Sequence, residues 1–557
     1  MNSASADLII VSARVITMDG AGRRAAAIAV TGNRIARVGS KAEVMALKGP
    51  GTRVIDAAGG SVLPGFIEAH MHLFTGAASR TDAQLFEVHG FEALDGAIRT
   101  YAAANPARRL LMGRGANYTI LSDSEPVTRH HLDRIVPDRA FIMTAPDFHT
   151  AWANTAALAA AGILHGRTLG VGNEIVMGTD GLATGELREG EAMGPVLDLK
   201  DGGGRERLGL STGGEPDPAP SPAEKAGDRA IIKSGLDYCA SHGITSIHNM
   251  DGNFYQLELL SEIEAEGGLT ARVEIPFHFK NFMELAALEK ASAMHRRYQS
   301  DMLHSGRVKV FVDGVLDSWT AVMIEDYADK PGWRGEPLFT PEHFAAVAIE
   351  ADRRGLQVSV HAIGDGAVRI VLDGYAAARR ANGARDSRHR IEHIEVVHAD
   401  DMPRFAGLGV IASMQPPHPP GTRGLPLEPT VSRIGRARWP LSYAWRSLRE
   451  AGARLVFATD WPVSPIDPMA AIEAAVTRKT WADDMPDQSQ TLMEAIAGYT
   501  RDGAYAEFRD DRKGTLEAGK LADMVVLSGD IEAVAPEMLH AVRPVATICD
   551  GRVSFVA

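Results

Sequence analysis

The chain has 557 residues, 45% of them hydrophobic and 23% charged, and its 58 basic and 71 acidic side chains give a formal charge of −13. That balance describes an ordinary globular protein too long for one small core. With no dense Lys/Arg run, it argues against nucleic acid or an anionic membrane as partner. The two cysteines, Cys239 and Cys549, lie far apart, so neither a disulfide framework nor a cysteine-based zinc site is available.

The N-terminal "MNSASADLIIVSARVITMDG" has no basic region and breaks its apolar run with polar residues, so it reads as a strand pair rather than a signal peptide. No uninterrupted apolar run is long enough to span a bilayer, and a cytoplasmic location is the default expectation. Residues 7–60 read as short Val/Ile-rich strands separated by Gly, Asn and Asp turns. The next run, "LPGFIEAHMHLF", ends in His70 and His72. Residues 74–300 mix helical patterns with candidate strands "RAFIMTAP", "GITSIHN" and "RVEIPF", so that candidate strands outnumber the eight a barrel needs. Within them "DGGGRERLGLSTGGEPDPAPSP" (201–222) is Gly/Pro-rich and aperiodic and is expected to be a mobile loop or lid, with disorder as the alternative.

From about residue 300 to 500, β-branched runs alternate with amphipathic patterns: strand "RVKVFVDG", helix "TPEHFAAVAIEADRRG", strand "LQVSVHA", helix "GAVRIVLDGYAAARRA", strand "RHRIEH", and onward to strand "RLVFATD". The first of these helices has Thr340 to cap it, Pro341 in its first turn and Gly355 past its end. Such repetition predicts an α/β fold with a (β/α)8 TIM-like barrel. The C-terminal "GKLADMVVLSGD" and "ATICDGRVSFVA" are again short strands, with Asp550-Gly551 at a hairpin turn. Residues 1–62 and 501–557, the latter with a helix, are therefore expected to build one small β-sandwich from both termini, and 63–500 the barrel with insertions.

In a strand, residues i and i+2 lie on one side, so His70 and His72 can chelate one ion together. A histidine-rich chain also produces such pairs by chance. Their weight comes from other strand ends, where a barrel carries its functional groups: His361 ends "LQVSVHA", His393 ends "RHRIEH" and Asp460 ends "RLVFATD". This nitrogen and oxygen set suits Zn²⁺ or a similar divalent ion. The competing readings are hydrogen-bonded core imidazoles for His361 and His393 and a turn role for Asp460.

The motifs "LPGFIEAHMH", "VKVFVDG", "VHAIGDGAV", "RIEH", "ATDWPV" and "YTRDGAYAE…KGTLEAGKLADMVVL" occur in an order that resembles the amidohydrolase superfamily, specifically the amidohydrolase family 3 branch that includes N-substituted formamide deformylases. The resemblance implies a metal-dependent hydrolase with one or two divalent ions. His70 and His72 would bind the more buried ion, His361 and His393 the second, and Asp460 would touch the first ion and the attacking water. Lys309 matches a lysine that in many binuclear members becomes a bridging carbamate; an unmodified Lys309 beside a single ion is the alternative. The cation would acidify water and polarise a carbonyl, with Asp460 as general acid and base. The implied reaction is hydrolysis of a C–N bond in an amide-like or formamide-like small molecule. A deaminase, a cyclic amide or lactone hydrolase, and a non-catalytic binding or regulatory relative are the alternatives, the last opposed by the intact ligands. A homodimer is an open expectation.

Other polar positions carry weaker expectations. Asp365 precedes a helix and is explained as an N-cap. His149 and His248 are candidate substrate contacts or buried structural hydrogen bonders; Glu189 lies where the family often has a glutamate near the pocket, or on a solvated helix face. His418, in "QPPHPP", is a substrate contact or a turn residue. The stretch "VLDSWTA" departs from the family pattern, and Asp317 and Trp319, if they reach the pocket, would favour a substrate with an aromatic or cationic portion.

Overall fold

A computed structural model describes residues 5–122, 124–170, 172–200 and 203–557. Its secondary structure is mixed α and β, and the α/β class expected from the sequence holds.

Strands from the two ends of the chain do meet. Met524–Leu527 runs antiparallel to Ser61–Pro64 in a six-stranded sheet with Arg14–Ile16, Arg24–Ala25, Pro544–Cys549 and Arg552–Val556. A second, four-stranded sheet comprises Ala6–Val11, Ala27–Thr31, Arg34–Gly39 and Lys48–Asp56. Leu8, Ile10 and Ile28 of the latter share a buried core with Val15, Val62 and Met524 of the former. At the predicted hairpin, Asp550 and Gly551 both adopt positive φ, 53° and 72°, as a two-residue turn between twisted strands requires.

The apolar run before His70 is two strands. Ser61–Pro64 belongs to the sheet just described, and Phe66–Met71 opens a separate parallel arc. That arc runs Leu303–His304, Arg272–Glu274, Ile244–Asn249, Phe66–Met71; a second parallel arc runs Phe277–His278, Arg307–Phe311, Gln357–Ala362, Arg390–His393, Ile411–Met414, Arg454–Phe457. No single closed sheet links them among the described residues. One break falls at Pro276, which has no N–H for a ladder. The other lies between Arg454–Phe457 and Phe66–Met71. There the buried Glu68 carboxylate accepts the Thr459 N–H and, at 2.9 Å, the Thr459 hydroxyl in place of a backbone partner. Beyond it Asp460 N donates to His70 O at 3.0 Å.

Of the three uncertain strands, "GITSIHN" and "RVEIPF" fall in the arcs. "RAFIMTAP" contributes Ala140–Thr144 to a separate six-stranded mixed sheet with its own core around Leu111, Phe141 and Trp152. The predicted helix after Thr340 spans Pro341–Arg353, capped by the Thr340 hydroxyl, and Gly355 follows at φ 78°. Residues 201 and 202 of the expected mobile stretch lie outside the described residues. The rest is less irregular than its composition suggests. Helical turns cover Arg205–Arg207 and Leu208–Ser211, and Arg205 bonds Asp228 while Glu206 O accepts from Thr75. No helix among the described residues is long and apolar enough to cross a membrane.

Candidate metal centre

The ends of the two arcs meet at a cavity of about 1330 Å³, whose lining includes His70, His72, His361, His393, His418 and Asp460. His70 lies within Phe66–Met71, His72 one residue beyond it, and His393 closes Arg390–His393. Asp460 follows Arg454–Phe457 in a left-handed conformation, φ 59°, and His393 adopts φ 77°. Such backbone geometry in non-glycine residues costs roughly 1–3 kcal/mol and persists only where the surroundings impose it.

His70 Nε2 stands 3.5 Å and His72 Nε2 3.6 Å from the same oxygen, Asp460 Oδ1. Each ring is turned by an acceptor on its other nitrogen: His70 Nδ1 donates to Glu392 Oε2 at 2.7 Å and His72 Nδ1 to Asp251 Oδ1 at 2.8 Å. With the proton on Nδ1, each Nε2 lone pair faces the aspartate. Asp460 Oδ1 is buried and has no hydrogen-bond partner. Two lone pairs converging on an orphaned carboxylate oxygen repel one another unless a cation lies between them. The donor set fits a divalent ion of the zinc type.

Among the described residues two groups could hold an ion, His70, His72 and Asp460, and His393, His418 and Asp460, with ligand atoms within 4.8 Å of one another. Asp460 is common to both. Burial, followed by the nearby Lys309 charge, holds the His70 imidazole well below its ordinary pKa; burial does the same for His361 and His393. These rings are therefore neutral, the form that binds metal. Burial raises the Asp460 pKa.

His361 and Lys309 belong to neither group. His361 Nε2 faces the Gly314 carbonyl at 3.0 Å, and its ring packs 4.5 Å from that of His393. Lys309 is fully buried and its Nζ has no hydrogen-bond partner; burial lowers its pKa to about 8. His418, from the loop after Ile411–Met414, joins the second group, and its Nδ1 lies 3.8 Å from Glu395.

His149 and Glu189 both line the cavity and pair at 2.8 Å. Burial disfavours the His149 imidazolium, but the Glu189 carboxylate outweighs it and raises the pKa to about 9. Asp317 also lines the cavity, accepting from Thr430 at 2.5 Å, with its pKa pushed up by burial to about 6. Trp319 is not among the lining residues: its indole lies under the Arg433 guanidinium at 3.7 Å and donates to Asp329. His248 also lies away from the cavity, held between Arg390 and Glu507. Asp365 is the first helical residue rather than the cap, which is Gly364, and it accepts from Ile324 N.

Sequence reasoning passed over Glu392, Asp251 and Asp313. Asp313, in "VKVFVDG" just past the strand Arg307–Phe311, accepts the amides of Val322, Ile363 and Gly364, so the strand-end rule that singled out Asp460 applies to it too. Glu392 stands inside the buried strand "RIEH", where a carboxylate needs a partner.

An α/β fold with histidines and an aspartate gathered at the ends of parallel strands is the class of a metal-dependent hydrolase. The chain belongs to the amidohydrolase family, whose pattern matches residues 53–555. It is 28% identical to the N-substituted formamide deformylase of Arthrobacter pascens, over 98% of this chain and 97% of that protein. It is 29% identical to Protein LONG AFTER FAR-RED 3 of Arabidopsis thaliana, over 94% and 87% respectively. Among solved structures, an uncharacterized metal-dependent hydrolase from Pyrococcus furiosus superposes with a TM-score of 0.68 at 25% identity, covering 93% of this chain and 98% of that one. The zinc complex of atrazine chlorohydrolase TrzN from Arthrobacter aurescens shares the fold at 15% identity, with a TM-score of 0.55 over 98% of this chain and 94% of its own.

Proposed function

We propose that the protein is a metal-dependent amidohydrolase that cleaves the C–N bond of an amide-like or formamide-like small molecule, with Asp460 as general acid and base. The observation that carries this reading is the convergence of His70 Nε2 and His72 Nε2 on the unpartnered Asp460 Oδ1 at the wall of a large cavity. The two parallel arcs are read as one (β/α)8 barrel, interrupted at Pro276 and at the Glu68–Thr459 contact. The Asp460-to-His70 backbone hydrogen bond supports closure at the second break.

His70, His72 and Asp460 would hold one ion, and His393 and His418 would complete a second position with Asp460. A divalent ion of the zinc type, once bound, supplies Lewis acidity that makes water a nucleophile near neutral pH and polarises the substrate carbonyl. Asp460 takes the proton of the attacking water and delivers it to the leaving nitrogen. Its burial, which raises its pKa, makes it a stronger base for taking that proton. His149, kept cationic by Glu189, suits an electron-rich substrate oxygen.

Lys309 is read as a carboxylation site. Its buried, unpartnered amine with a lowered pKa is readily neutral, and the neutral amine adds to carbon dioxide with loss of one proton. The resulting anion would offset the charge of adjacent cations.

The relation to the A. pascens deformylase makes N-substituted formamides the first substrates to assay. Chelator-treated protein should release no amine from a panel of N-substituted formamides and acyl amides, and added zinc should restore release. Turnover that survives complete metal removal would overturn the reading, and release of ammonia alone would move it to a deaminase.

A further inference from the structure

His70 is one end of a chain of buried polar contacts that leads away from the cavity. Its Nδ1 donates to Glu392 Oε2 at 2.7 Å. Arg390 holds both oxygens of that carboxylate, Nε to Oε1 at 2.8 Å and Nη2 to Oε2 at 3.0 Å. The same guanidinium donates to Ala69 O at 2.7 Å and to Ser413 Oγ at 2.8 Å, tying its own strand to Ile411–Met414 beside it and to Phe66–Met71 of the other arc. Its remaining arm, Nη1, donates to His248 Nδ1 at 3.0 Å.

Arginine has donors only, so His248 Nδ1 is the acceptor and the ring proton sits on Nε2. That nitrogen lies 3.3 Å from Glu507 Oε1, and Glu507 pairs with Lys513 at 2.5 Å. Chemistry thus settles the direction of the hydrogen bonds from His70 to Glu392 and from Arg390 to His248, and the last step is a 3.3 Å approach of His248 Nε2 to Glu507 Oε1 rather than a hydrogen bond. His248, Arg390, Glu392 and Glu507 are buried and none of them lines the cavity.

Glu392 and Glu507 balance Arg390 and Lys513 in charge. Buried ionic chains contribute little net stability compared with apolar packing of the same volume, so this one calls for another role. We propose that Glu507, acting through His248, Arg390 and Glu392, is a positioning residue for His70 and sets how tightly the centre holds its cation. The inference rests on the reading of His70 as a metal ligand. A carboxylate behind a ligand histidine fixes its tautomer and direction, and a hub arginine free to swing would release that carboxylate.

The test measures zinc affinity of the full-length protein by competition with a chromophoric chelator, with circular dichroism to establish folding. Glu507→Ala is expected to bind zinc about tenfold more weakly than wild type, the lower end for groups that orient ligands. Glu507→Gln, which keeps an oxygen facing His248 Nε2, is expected to recover most of that loss. If Glu507→Ala does not fold, His248→Gln decides, with a comparable weakening expected. Folded variants that bind zinc as tightly as wild type would overturn the proposal while leaving the metal reading intact. A wild-type protein that binds no zinc would overturn both.

Discussion

His70 and Asp460 are joined twice: the Asp460 amide donates to the His70 carbonyl at 3.0 Å, and the His70 Nε2 faces Asp460 Oδ1 at 3.5 Å. The backbone bond holds the end of the last parallel strand against the first. The side-chain approach is thereby set by the fold rather than by two mobile side chains finding each other.

Asp460→Asn keeps the shape of the side chain and removes its basicity. The variant is expected to fold and to lose turnover by about 10²–10⁴-fold, the range for a general acid–base group. Single-turnover amine release checks this, and full activity would remove Asp460 from the proton-transfer role.

Asp251→Asn and Glu392→Gln each alter the acceptor that orients a histidine without touching the cavity wall. Each should weaken zinc binding by about 10–100-fold. Chelator competition measures the loss.

Asp317 and Trp319 adjoin in sequence and separate in space. Asp317→Asn is expected to raise KM for amides bearing an ammonium group by about tenfold and to leave neutral amides little changed, as loss of one charged contact predicts. Trp319→Ala, whose indole lies under Arg433 and outside the cavity lining, is expected to leave selectivity unaltered. A panel of amines differing only in charge separates the two.

Asp352 accepts from Arg385 at 2.6 Å, Asn382 at 2.8 Å and Ser387 at 2.8 Å, fastening the helix Pro341–Arg353 to the end of Asp365–Asn382. Burial opposes its charge, but hydrogen bonds from His389, Asn382, Ser387 and Arg385 prevail and hold its pKa below the ordinary 3.8. A carboxylate depressed in the folded state stabilises above its unfolded pKa, and that stability is lost as pH falls through the folded value. Asp352→Ala should cost about 1–3 kcal/mol at neutral pH. Asp352→Asn should flatten the loss of stability below about pH 4, where the wild-type carboxylate protonates. Urea unfolding across that range measures both.

His70, His72, His393 and Asp460 were legible because strand alternation and strand ends are written in local patterns of apolar residues. His418 was visible only as a turn or contact, since the loop that carries it into the second ligand group has no period to read. Glu392 hides in plain view inside a strand, because a buried carboxylate is recognised by its partners, Arg390 and His70, and these come from two strands far apart in sequence. The division of "LPGFIEAHMH" at Pro64 and Gly65 was missed because both halves are apolar and only the pairing, one with Met524–Leu527 and one with Ile244–Asn249, separates them. The sheet around Ala140–Thr144 could not be told from barrel strands for the same reason.

The most direct measurement is an anomalous-scattering map of crystals grown with zinc. A metal ion held by these side chains predicts a peak within coordination distance of His70 Nε2, His72 Nε2 and Asp460. Well-ordered crystals of folded protein with no peak at those atoms would contradict it.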